Sequence, residues 1–151
     1  MSQQTSQQNK ALVRRWYDAL WNRVDLDAAE EILSADFVEH LTHEHERGIE
    51  ELKEFITIYR TAFPDMQATV EKIVAEADMV AVLWTSRGTH QGEFMGFAPT
   101  GREVTFMGMR LFRIAENKIV EGWVTMDAQG WQEQMEEEQL GTRRLHFHRS
   151  S

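Results

Sequence analysis

Residues 118–131 read KIVEGWVTMDAQGW, and this stretch decides how the chain folds. Its alternation is typical of a β-strand that ends at an acid and then turns into a helix. One face of that strand, at a period of two, carries Ile119, Glu121, Trp123, Thr125 and Asp127. Desolvation beside the indole of Trp123 would raise the pKa of Asp127 and suit it to proton transfer. Because Asp is also a favoured N-cap residue, Asp127 could instead cap the helix that follows, and the two interpretations are compatible.

The composition indicates one globular domain and excludes several classes of function. The chain has 151 residues, of which 42% are hydrophobic, enough for a core of its own. Its net charge of −9 disfavours nucleic acid as a partner, because phosphates would be repelled, and the absence of cysteine excludes disulfides and thiolate chemistry. The start, MSQQTSQQNK, has no apolar signal core, and no apolar run is long enough to span a membrane. We therefore predict a cytoplasmic protein without a membrane partner.

The spacing of apolar residues divides the chain into helical and extended segments. It predicts helices over residues 9–21, 25–33 and 49–63, strands over 66–75, 79–89, 103–114 and 118–127, a short extended piece from residue 37, and a last helix over 128–140. The predicted domain is 9–140, with loose tails at 1–8 and 141–151. This order indicates an α+β fold, in which a curved antiparallel sheet wraps around the N-terminal helices and leaves a cone-shaped hollow for a ligand.

Several motifs are similar to those of one family. They are D-F-V-x-H at 36–40, F-P-D at 63–65, G-T-H-x-G-E-F at 88–94, P-T-G at 99–101 and E-x-W-x-x-x-D at 121–127. Together they resemble the SnoaL-like polyketide cyclases (ester cyclases) over residues 9–135. The resemblance implies the cone-shaped α+β roll of nuclear transport factor 2 and a ring closure by intramolecular aldol condensation without a metal or organic cofactor. It also implies that Asp127 is the general acid/base and that Trp123 lines the pocket.

Two other titratable side chains allow more than one interpretation. Glu121 is either a second pocket acid, which would raise the pKa of its neighbour, or the partner of Arg110 or Arg113 in an ion pair. His40 either bonds a substrate carbonyl as a catalytic residue or is a satisfied structural histidine. The motif H-x-x-H-x-H at 40–45 suggests a metal, but histidines in an acid-rich loop are more often simply polar, and we predict no metal site.

Four further side chains are candidate substrate contacts. Tyr17 lies on the apolar stripe of the first helix, and Trp84 lies on the strand 79–89, where core packing is the leading alternative. His90 and Phe94 follow that strand, close to the expected mouth of the hollow.

These features predict an enzyme that acts on a hydrophobic small molecule by cofactor-independent acid/base catalysis, closing or isomerising a ring. One alternative is a related reaction, such as epoxide hydrolysis or a double-bond shift. Another is a carrier or assembly domain that keeps the hollow without the chemistry. We also predict a homodimer, because an apolar face of the late strands would need cover. That face carries Phe106, Gly108, Phe112, Val120, Val124 and Met126.

Overall fold

The computed structural model describes residues 3–41, 45–127, 130, 133 and 134. The helical elements are α1 (Gln3–Arg15), a π-helical segment (Trp16–Asn22), a 3-10 turn (Leu26–Ala28), α2 (Ala29–Ile32) and α3 (Ile49–Ala62). The strands are β1 (Leu33–His40), β2 (Glu46–Arg47), β3 (Gln67–Glu76), β4 (Met79–Thr89), β5 (Glu103–Ala115) and β6 (Lys118–Met126). This order confirms the predicted α+β class.

The first helix begins earlier than the sequence predicts. We expected a loose segment over residues 1–8, but α1 starts at Gln3. Glutamine is a good helix former, and the polar lead contains neither glycine nor proline to stop a helix. The apolar stripe crosses from α1 into the π-helical segment and is buried along Leu12, Val13, Trp16, Tyr17, Leu20 and Trp21. The wider turns of a π-helix often mark functional sites.

The described strands form one sheet in the order β2-β1-β6-β5-β4-β3. From β3 to β6 each strand pairs antiparallel with the next, as predicted. The prediction of an entirely antiparallel sheet is wrong at one place, because β1 runs parallel to β6 and sets His40 beside Trp123. The whole of α3 and the meander separates these two strands, so no tight hairpin dictates their relative direction.

A β-bulge interrupts the alternation of β6. Ile114 pairs with Ile119, whereas the preceding Arg113 pairs with Glu121. Val120 is therefore the extra residue in the strand. Because side chains alternate strictly, one extra residue sends every later side chain to the opposite face.

The bulge overturns the predicted faces of β6. The residues that point towards the helices are Gly122, Val124 and Met126. They pair with the inward-facing residues of β5. Glu121 and Trp123 point away from the helices, so the predicted hollow-facing surface is the outer surface.

The surface predicted to bury a dimer contact is instead the inner face of the sheet. Phe106 and Phe112 are fully buried in the core. Val124 and Met126 pack against that core and line a cavity. The helices cover this face, so it cannot be the predicted dimer surface.

The predicted last helix lies mostly outside the described residues. Gly130, Glu133 and Gln134 are helical, and the side chain of Gln134 pairs with the backbone of Thr105 at 3.1 and 3.0 Å. The predicted tail at 141–151 lies wholly outside the described part.

Candidate active site

A cavity of about 320 Å³ lies between the helices and the inner face of the sheet. Its aromatic wall consists of Tyr17, Trp21, Phe55, Tyr59, Trp84 and Phe106. Most of the remaining wall is apolar and includes methionines from β6 and from the loop after β4. Charged wall residues in the described part are Arg47 and Arg110, and no described carboxylate belongs to the wall. Such a space suits a small, largely apolar ligand.

Both wall arginines belong to a buried ion cluster with Glu39. Glu39 is fully buried and accepts hydrogen bonds from Nε of Arg110 at 2.7 Å and from Nε of Arg47 at 2.9 Å. The two arginine side chains are only 4% and 11% exposed. One carboxylate therefore holds two guanidinium groups at the cavity. Removing one partner of a buried pair is strongly destabilising, so Glu39 positions both arginines.

Aromatic rings surround the guanidinium of Arg110. Its Cζ lies 4.5 Å from the ring centroid of Trp84, 5.1 Å from that of Trp16 and 5.4 Å from that of Trp21. The negative faces of the rings attract the cation. Burial acts to lower the pKa of Arg110, but the charge of Glu39 and the hydrogen bonds to Glu39 and Tyr17 together outweigh it, so the pKa is raised and the side chain stays charged.

Two donor groups of wall residues have no acceptor among the described residues, although the oxygen of one of them, Tyr17, accepts from the Arg110 guanidinium. They are the buried Oη of Tyr17 and the buried Nε1 of Trp21. Burial raises the pKa of Tyr17, although the charge of Arg110 opposes it, so the phenol stays protonated. The hydroxyl of Tyr59, in the same wall, does have a partner and donates to Sδ of Met126 at 3.5 Å.

Asp127 lies beside the cavity without forming part of its wall. Its side chain is exposed, and Oδ1 accepts the backbone N–H of Gly130 at 2.9 Å, which is the helix cap that the sequence allowed. The preceding residue, Met126, does line the cavity. The backbone N–H of Asp127 donates to the carbonyl of Met107 at 2.8 Å, which ties the end of β6 to β5.

Three predicted site residues meet on the outer face of the sheet instead. Nε2 of His40 lies 2.6 Å from Glu121, and the His40 ring stacks on Trp123 with centroids 5.3 Å apart. Arg113 donates to Glu121 at 3.1 Å, which is one of the ion pairs considered for this acid. The hydrogen bond from His40 lowers the pKa of Glu121, with Arg113 adding to the effect, whereas a desolvated pocket acid would have a raised pKa.

The remaining predicted contacts divide between the wall and the core. Tyr17 and Trp84 belong to the wall. Phe94 is buried against Tyr59, with centroids 4.8 Å apart, and does not reach the cavity. His90 is fully buried and stacks on Phe63 at 5.3 Å, so it too lies outside the wall.

Sequence reasoning missed the residues that give the cavity its charge. Arg110 was considered only as a partner of Glu121, and Glu39 and Arg47 were not singled out. A signal was present, because Arg110 shares its strand parity with the buried Phe106 and Phe112. A charged side chain at an inward position of a strand needs a buried partner.

Neither a metal site nor a membrane span is found within the described part of the chain. No group of three or more His, Asp or Glu side chains there is placed to hold a metal ion. His43, the middle member of the H-x-x-H-x-H motif, lies outside the described residues. The helices that the structure describes are too short or too polar to cross a membrane.

Solved structures with the same fold come from several bacteria. AclR from Streptomyces galilaeus, described as a candidate hydroxylase, is 33% identical with a TM-score of 0.77, over 85% of this chain and 81% of AclR. IdmH from Streptomyces antibioticus, described as a candidate polyketide cyclase, is 32% identical with a TM-score of 0.76, over 83% of this chain and 96% of IdmH. A candidate SnoaL-like polyketide cyclase from Jannaschia sp. is 26% identical with a TM-score of 0.78, over 86% and 92% of the two chains.

Family comparison agrees with these structures. No curated protein matches the chain. The family model of the SnoaL-like polyketide cyclases matches residues 11–135, which include β1 to β6, α3 and all the cavity walls. The chain therefore belongs to the SnoaL-like polyketide cyclase family.

Proposed function

We propose that the cavity binds a hydrophobic small molecule and that the protein catalyses a cofactor-independent acid/base reaction on it, an aldol-type ring closure or a related isomerisation. The observation that carries this proposal is the cavity of about 320 Å³, walled by aromatic rings and served by a buried guanidinium. Membership of the family supports the reaction class, and the largely apolar wall supports exclusion of water from a reactive intermediate.

The proposed reaction balances without a redox partner. A base removes the proton from a carbon next to a carbonyl group, and the electron pair moves to the carbonyl oxygen as an enolate. The enolate carbon then forms a bond to a second carbonyl carbon in the same molecule. The alkoxide produced at that second carbonyl takes up a proton, so nothing is oxidised or reduced.

Asp127 is the side chain we propose as the base. Its backbone follows the wall residue Met126 directly, so release of the Gly130 N–H would free the carboxylate beside the cavity. Replacing Asp127 by Asn should leave folding nearly intact, because Asn is as good an N-cap. Removing a positioned base should lower turnover by about 10²–10⁴. A well-folded Asp127→Asn protein with full activity would show that Asp127 serves only as a cap.

A second candidate function is ligand binding without catalysis. The geometry that favours it is the hydrogen bond that holds the Asp127 carboxylate on the backbone of Gly130, away from the wall. In that case Asp127→Asn would leave ligand affinity unchanged, and no product would form from any compound that the wild-type protein retains.

Mass spectrometry of co-purifying compounds tests whether the cavity is the site. Ala68 lies in the wall, and Ala68→Phe would fill part of the cavity. Thr69 is exposed and points to the other side of the same strand, so Thr69→Phe adds the same ring outside. We expect Ala68→Phe, and not Thr69→Phe, to lose the retained compound. Equal retention by both variants would place the site elsewhere.

We also propose that the protein is a homodimer that pairs through the outer face of the sheet. That face exposes Met107 and Met109, each 50% accessible, with Leu111 and Val74 beside them. An exposed apolar patch of this kind suits a second copy of itself, with the charges around Glu121 at its margin. Met109→Lys should shift the dimer to monomer in sedimentation, whereas Ile58→Lys, an equally exposed apolar residue on α3, should not. A wild-type monomer at micromolar concentration would contradict this.

A further inference from the structure

The charges of the ion cluster at the cavity, formed by Glu39, Arg47 and Arg110, do not sum to zero. Arg47 and Arg110 each carry one positive charge, and both share the single carboxylate of Glu39. The three groups together therefore carry a net charge of +1, although none is more than 11% exposed. A buried charge is costly unless it is paired, and no other described carboxylate lies in the wall to pair with it.

Aromatic faces and unpartnered donors add to this imbalance. Rings around Arg110 stabilise its cation without cancelling its charge. Tyr17 and Trp21 contribute a hydroxyl and an indole N–H that no described acceptor satisfies. An indole nitrogen can only donate, so Trp21 supplies a second donor without an acceptor among the rings around Arg110.

We propose that the cavity binds its ligand as an oxyanion, with the negative oxygen at the Arg110 end and an apolar body along the aromatic wall. The ligand class is an apolar, ring-sized molecule that carries a carboxylate, a phenolate or an enolate oxygen. The proposal rests on the proposed function, because it takes the same cavity as the site. It adds a role for Arg110: the guanidinium touches the oxygen on which charge develops when a proton leaves carbon.

The physical advantage of such a site is that the charge is already in place. Glu39 fixes the direction of both guanidinium groups before any ligand arrives, so little reorganisation is needed when an oxygen becomes negative. An oxyanion would bring the buried cluster to neutrality. A neutral ligand of the same shape would leave the charge of +1 uncompensated.

Two probes of the same shape test the sign of this preference. Naphthalene-2-carboxylate is an anion at pH 7, and naphthalene-2-carboxamide is its neutral analogue. Binding of each is measured by calorimetry. A hydrogen bond to a charged group contributes more than one to a neutral group, so the wild-type protein should bind the carboxylate roughly tenfold to a hundredfold more tightly.

Variants that change the cluster charge should move this ratio in opposite directions. Arg47→Met leaves one arginine against Glu39 and a neutral cluster, so the ratio should fall towards one. Glu39→Gln raises the net charge to +2, so the ratio should rise above the wild-type value. Tyr17→Phe removes an O–H group that has no acceptor and should lower the ratio severalfold. It leaves all three charges of the cluster in place, which keeps the test valid if the buried Glu39→Gln fails to fold.

Tyr59→Phe is the matched control for the loss of a wall hydroxyl. Its hydroxyl already donates to Met126, so the variant should change the affinities for both probes by the same factor. Equal wild-type affinities for the two probes would overturn the oxyanion preference and leave the proposed function standing. A ratio that does not fall in Arg47→Met would overturn it as well. Failure of both probes to bind at millimolar concentration would overturn the proposed function and the oxyanion preference together.

Discussion

Substituting Gly108 by Ala tests how tightly the cavity wall is packed. Gly108 lies on the inner face of β5, between Trp84 on β4 and Met126 on β6. A Cβ at this position would overlap the edge of the Trp84 ring and lie 2.7 Å from the carbonyl oxygen of Thr125. Carbon atoms in contact normally stay about 3.5–4.0 Å apart, so the new methyl group forces the ring to move.

The stability that Gly108→Ala loses depends on which of the neighbouring atoms can move. The Thr125 carbonyl is backbone, and the Trp84 ring is held between Tyr17, with centroids 6.0 Å apart, and the guanidinium of Arg110 at 4.5 Å. The free direction for the ring is into the cavity. Overpacking of this kind costs about 1–3 kcal/mol of unfolding free energy. For a domain of this size each kcal/mol lowers Tm by roughly 2–4 °C.

Gly122→Ala is the matched control on the neighbouring strand. Gly122 also faces inward, but a Cβ there meets its nearest atoms at 3.7 and 3.9 Å, which is ordinary contact. We expect this variant to be as stable as the wild type or more stable by about 0.4–1 kcal/mol, because alanine restricts the unfolded chain. Chemical denaturation of the three proteins measures the difference, and binding of a cavity probe should fail in Gly108→Ala alone. Equal stability of the two variants would refute the packing argument.

Three further outcomes are expected. Burial lowers the pKa of His90, whose Nδ1 accepts the Thr100 N–H at 3.3 Å, so the unfolded state binds this proton at a higher pH than the folded state. The free energy of unfolding should therefore fall as pH drops below about 6.5. His90→Asn keeps an acceptor and should flatten that fall in denaturation measured at pH 7.5 and 5. The Thr89 N–H and hydroxyl donate to Asp65 and lower its pKa. The ionised carboxylate therefore stabilises the folded state above the unfolded pKa of Asp65, and this contribution is lost as pH falls below that value. Asp65→Asn should destabilise the protein more at pH 7 than at pH 3. Chelator dialysis should leave activity intact, because we predict no metal requirement. The contrary result would be stoichiometric zinc or iron that survives dialysis and is released by His43→Ala.

Local patterns were enough to predict the elements of the fold. The strand over 79–89 coincides with β4, because every second side chain is buried and those between are half-buried or, at Arg87, exposed. Helix α3 ends at Ala62, just before the F-P-D motif, as proline chemistry requires. The start of α1 at Gln3 was harder to predict, because a polar N-terminal segment is compatible with either a helix or a loose tail.

The candidate site was harder to predict, because it depends on contacts between distant parts of the chain. Glu39 and Arg110 are far apart in sequence, and the parallel pairing of β1 with β6 brings them to one face. Nothing local dictates a parallel pair. Asp127 shows the complementary case: its residue type allowed both a cap and a base, and the structure shows the cap.

The bulge at Val120 connects the shape of the cavity with its charge. Without the extra residue, the pairing that holds Ile114 against Ile119 would continue and set Trp123 across from Arg110 and Glu121 across from Phe112. An indole would then fill the cavity, and a carboxylate would stand close enough to neutralise the cluster. With the bulge, Val124 faces Arg110 and leaves room for a ligand. The same shift pairs Glu121 with His40 and Arg113 on the outer face. The single extra residue therefore opens the cavity and leaves its positive charge for a ligand to meet.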